Sequence, residues 1–211
     1  MAYFLPVDVQ NKQSNHDHLI RAARGYERFA GTEMDYPLLI PALASDGDHL
    51  QTLAYIKPAT ALNILRGTLG AARFDEALRG FIMRWEGRHP LPWDFFHTFN
   101  DLTGENLDWF WRPWFFDPGY PDLGIGNVEQ TPGRTVVTVL RGGSMPVPVE
   151  LTVTLAGGAT QSVRESAAVW KGGAREASFT ITHDTDVASL RLGGPHVPDS
   201  DPANNTWNSK D

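Results

Sequence analysis

Near Asp122 the hydrophobic pattern changes period, and this break constrains the fold more than any other feature. Before it, apolar residues recur at helical spacing; after it, they alternate with polar ones. One regular element cannot serve both patterns. The chain therefore divides into a helical region over residues 1–122, a β-rich region over 123–195 and a polar tail over 196–211. The expected class is α+β, an N-terminal all-helical region followed by a small antiparallel β-sandwich.

In the first region a helix is expected from Asn15 to about Phe29, with Leu19, Ile20, Ala23, Tyr26 and Phe29 toward one face and Gly31 as its stop. Residues 32–52 hold the turn formers "MDYPLLIP" and "SDGDH" and read as an ordered loop. Pro58 suits a first helical turn, and Leu62, Leu65 and Leu69 carry a buried face up to Gly70. Asp75 is the expected cap of the next helix, which bears Leu78, Phe81, Ile82 and Trp85 before Gly87 and Pro90. Asp94 caps another, with Phe95, Phe96, Phe99 and Leu102, ended by Gly104, and His89 reads as a helix-end imidazole. A last helix runs from about Leu107 to Phe116.

After Leu123, the segments "RTVVTVLR", "VPVELTVTL", "TQSVRES", "REASFTITH" and "VASLRL" are strand candidates separated by turn residues. Short strands at such spacing predict a sandwich.

Charge and composition remove several functions. A net charge of −7 leaves no basic stripe to neutralise phosphates, which argues against nucleic acid and against an anionic membrane surface. The absence of cysteine excludes a disulfide framework, a thiolate nucleophile and a Cys-ligated zinc. No apolar run approaches membrane-spanning length, and the opening "MAYFLPVDVQNKQ" lacks the basic start and cleavage site of a signal peptide. The chain reads as soluble, with its compartment left open.

The stretch "LAYIKPATALNILRGTLG" sets a phenol, Tyr55, at the threshold of a helix. Downstream lies "HPLPWDFFHTFNDLTGENLDWFWRPWF". Together these segments resemble the gluzincin (peptidase family M1-like) zinc aminopeptidases, which show a Tyr-x-Lys before a helix ending Leu-Gly. Those enzymes then carry a His-Pro-x-x-x-Asp-Phe-Phe segment and a Gly-x-x-Leu-x-Trp-Phe-Trp run into a C-terminal β domain. The close match covers about a third of the chain, and the loop upstream and the terminal "DPANNTW" are similar to bacterial members.

The resemblance implies that Tyr55 donates a hydrogen bond to a tetrahedral intermediate, since an oriented phenol stabilises a developing oxyanion better than water does. It implies zinc only in a full-length relative. The family's H-E-x-x-H ligands and general base do not occur in this sequence, nor does its Gly-x-Met-Glu-Asn strand. The expectation is therefore the C-terminal part of such an enzyme, truncated or supplied as a separate piece.

Other clusters offer metal chemistry of their own. "SNHDHL" presents His16, Asp17 and His18, and "SDGDH" presents Asp46, Asp48 and His49. "PDSDPANN" presents Asp199, Asp201, Asn204 and Asn205, hard oxygen ligands suited to calcium but without the spacing of an EF-hand. The plain alternative for each is a solvated turn. No G-x-S-x-G elbow supports a serine nucleophile, and "GGSMP" reads as a hairpin turn.

Three functions remain. The leading one is an aminopeptidase segment that supplies Tyr55 and a wall of the cleft and is inert alone as a peptidase. The second is a free-standing ester or lactone hydrolase using a metal such as calcium. The third is a non-catalytic module that docks a missing N-terminal catalytic domain, or a second copy, through the aromatic run Trp109–Phe116, which is too dense for one buried face.

Overall fold

The computed structural model describes residues 12–40 and 52–209, with side chains in the first helix from His18 onward. The helical region comprises α1 (Lys12–Glu27), a π-helical turn (Thr52–Ile56), α2 (Lys57–Leu69), α3 (Ala71–Trp85) and α4 (Pro92–Thr103). It closes with the short α5 (Asp108–Trp111), which runs into a second π-helical turn, Arg112–Phe116. The class is α+β, as the break in period predicts.

Local chemistry sets the helix ends. Asp94 lies inside the first turn of α4 and caps it by accepting the Leu91 N–H at 2.7 Å. Gly104 ends α4 in the left-handed conformation (φ 63°), which a glycine adopts without steric cost. Asp75, expected as a cap, sits within α3 instead. Its carboxylate accepts two bonds from Arg66 of α2, at 2.9 Å each, and ties the two helices together. The sharp reversal at Gly70 (φ 83°) starts α3 five residues earlier than a cap at Asp75 requires.

The β region has two antiparallel sheets. β1 (Leu123–Thr131), β2 (Arg134–Arg141) and β5 (Glu176–Thr182) form one, in the order β1-β2-β5. β3 (Val149–Leu155), β4 (Thr160–Glu165), β6 (Val187–Leu192) and β7 (Thr206–Asn208) form the other, in the order β4-β3-β6-β7. Strict alternation is clearest in β3, where Val149, Leu151, Val153 and Leu155 are buried between partly exposed neighbours. These residues join Val137, Val139, Phe179, Ile181 and Leu190 in a continuous core.

The tail drawn from residue 196 is part of this sandwich. Val197, Asp199 and Asn205 are buried, and β7 pairs with β6 through Ser189↔Asn208, Leu190↔Trp207 and Arg191↔Thr206. Two of its polar side chains cap backbone: Asp199 accepts the Leu123 and Asp201 N–H groups, and Asp201 accepts the Ala203 N–H.

The aromatic run Trp109–Phe116 lies mainly inside the protein. Phe110, Trp111, Trp114 and Phe115 are buried, and Trp109 and Phe116 are partly so. Its second contact is the sandwich itself: Trp114 Nε1 donates to the Pro146 carbonyl at 3.0 Å. The connection between the regions is equally tight, because a Cβ at Gly143 would collide with the Tyr120 carbonyl. Trp93 (54% accessible) is exposed and stacks on Phe116 with centroids 4.8 Å apart.

Candidate functional site

Tyr55 occupies the π-helical turn before α2 and points outward, with 42% of its surface accessible. Thr52 and Leu53 of the same turn are buried, and so is Lys57 two residues later. The turn is thus anchored on both sides of an exposed phenol.

Lys57 is the stronger anchor. Its Nζ lies 2.6 Å from Asp35 Oδ1 and 2.9 Å from the Tyr36 carbonyl, with the lysine side chain fully buried and Asp35 3% accessible. Asp35 Oδ2 accepts the Tyr26 hydroxyl at 2.9 Å and the Gly31 N–H at 3.1 Å. The Lys57 ammonium also sits 5.3 Å from the centroid of the Tyr26 ring, a cation–π contact. Tyr26, in the last turn of α1, packs on Trp114 with centroids 5.9 Å apart, and Met145 Sδ lies 3.2 Å from its hydroxyl. One buried polar network therefore joins α1, the segment after it, α2, Trp114 and the sandwich.

The electrostatics follow from burial. Burial lowers the Lys57 ammonium below the usual lysine range, and the Asp35 carboxylate only partly opposes it. Burial raises the Tyr26 phenol far above its usual range, and the Asp35 charge and hydrogen bond push the same way. Tyr26 is a permanently neutral donor at physiological pH. Lys57 and Tyr26 are structural partners in this arrangement, while Tyr55, on the same turn, is 42% accessible.

Among the metal candidates, the side chains of His16 and Asp17, and all of Asp46, Asp48 and His49, lie outside the described residues. His18 is described in α1. Asp201 accepts the Ala203 N–H at 3.2 Å, and Asp199 accepts the Leu123 and Asp201 N–H groups at 3.1 and 2.9 Å. Among the described residues no group of three or more His, Cys, Asp or Glu side chains is placed to hold a metal ion. The zinc of the resembling enzymes does not fit these side chains. A shallow depression on the sandwich, lined by Gly133, Leu155, Gly157, His183 and Asp184, includes neither Tyr55 nor Lys57.

The network was hidden from sequence reasoning. Asp35 belongs to a turn-rich segment, and Lys57 is a residue type that is almost never fully buried unless paired. The usable signal was the Tyr-x-Lys spacing, which sets the lysine inward when the tyrosine faces out.

The proteins that this fold and sequence resemble are aminopeptidases. The chain is 26% identical over 111 residues to the Caenorhabditis elegans protein named "Putative aminopeptidase-2", a match covering 47% of this chain and 6% of that protein. In fold it is similar to a solved structure, Legionella pneumophila aminopeptidase A in complex with aspartic acid, with a TM-score of 0.61 and 19% identity. That match covers 86% of this chain and 22% of the other. The chain thus spans less than a quarter of the length of either relative. No family model matches it. Among the described residues no helix is long and apolar enough to cross a membrane.

Proposed function

We propose that this chain is the C-terminal part of a gluzincin-type aminopeptidase, where it presents the Tyr55 hydroxyl to a tetrahedral intermediate and forms one wall of the cleft. The observation that carries this reading is the contrast across two residues: Tyr55 is exposed while Lys57 is fully buried and held by Asp35. A turn fixed in this way orients the phenol before substrate arrives, and a preoriented donor is what oxyanion stabilisation requires. The similarity to aminopeptidases in sequence and fold supports the same reading.

Alone, the chain has no peptidase activity, because no H-E-x-x-H occurs in its 211 residues to supply zinc ligands and a general base. The test is hydrolysis of an aminoacyl-nitroanilide by the purified chain, with zinc and with a chelator. No turnover above background is expected. Turnover lost on chelation and restored by zinc contradicts the proposal. Running ester and lactone substrates beside it tests the free-standing hydrolase as well.

A further inference from the structure

We draw no further inference here: the strongest candidate, the exposed apolar surface patch of Ile82, Met83, Leu91 and Trp93 where α3 gives way to α4, carries no proposal because nothing in the structure shows what covers it.

Discussion

Lys57 Nζ lies 2.6 Å from Asp35 Oδ1 in a region from which water is excluded on both sides of the pair. Such a pair is not in itself a large source of stability, since desolvating two ions offsets most of their attraction. Its consequence is asymmetry: either partner left alone is a buried, uncompensated charge. The pair therefore fixes the position of the turn that carries Tyr55, because any shift of α2 against the segment after α1 breaks it.

Removing one partner should be severe. Asp35→Ala leaves the Lys57 ammonium with the Tyr36 carbonyl and the Tyr26 ring but no counter-charge, and should cost about 3–5 kcal/mol in denaturant unfolding. The double change Asp35→Leu with Lys57→Met should recover most of that loss. A single change costing under about 1 kcal/mol contradicts the buried network.

The raised Tyr26 phenol predicts a loss of stability in alkali. A group whose pKa is raised by folding contributes stability that is present below its unfolded value, here 10.0, and lost as pH rises above it. Between pH 8 and 11 the unaltered chain should therefore lose more stability than Tyr26→Phe, measured by urea unfolding. Lys57 acts in the opposite sense. Its lowered value makes stability rise with pH up to the ordinary lysine value of 10.5, so Lys57→Met should flatten that approach. Parallel pH profiles for all three proteins contradict both assignments.

The joint between the regions should depend on Trp114. Trp114→Phe removes the bond to the Pro146 carbonyl and part of a fully buried ring, and should cost roughly 2–4 kcal/mol. Circular dichroism in the near-ultraviolet should report the loss for both regions in a single transition. Separate transitions already present in the unaltered chain contradict a shared core.

Trp93 should dominate the quenchable fluorescence. The other tryptophans are buried or partly so, whereas Trp93 is 54% accessible above Phe116. Trp93→Phe should remove most of the signal accessible to acrylamide and change stability little. Unaltered quenching places the exposed indole elsewhere. If a partner domain or second copy docks on this side, its binding should protect Trp93 from the quencher.

Much of this architecture was legible in the sequence, for definite reasons. The change of period at Asp122 is a global signal, and β3 alternates so strictly that its two faces are read directly. The lysine of Tyr-x-Lys was not legible as a core residue, because its burial depends on Asp35, 22 positions upstream in a segment that reads as surface loop. Local pattern carries no information about such a pairing. β7 escaped for a different reason: three residues, "TWN", are too few to show a period, and only pairing with β6 makes them a strand. Asp75 is a further case, a carboxylate whose chemistry suits a cap and which long-range geometry assigns to Arg66 instead.

Tyr55→Phe tests the central claim most directly, by unfolding free energy set beside that of Tyr26→Phe. If Tyr55 is held for chemistry and Lys57 for structure, deleting the Tyr55 hydroxyl should change stability by no more than about 1 kcal/mol. Deleting the buried Tyr26 hydroxyl, which leaves part of Asp35 unsatisfied, should cost about 1–3 kcal/mol. A loss at Tyr55 equal to or larger than that at Tyr26 would make its hydroxyl a structural anchor and remove it from the proposed site.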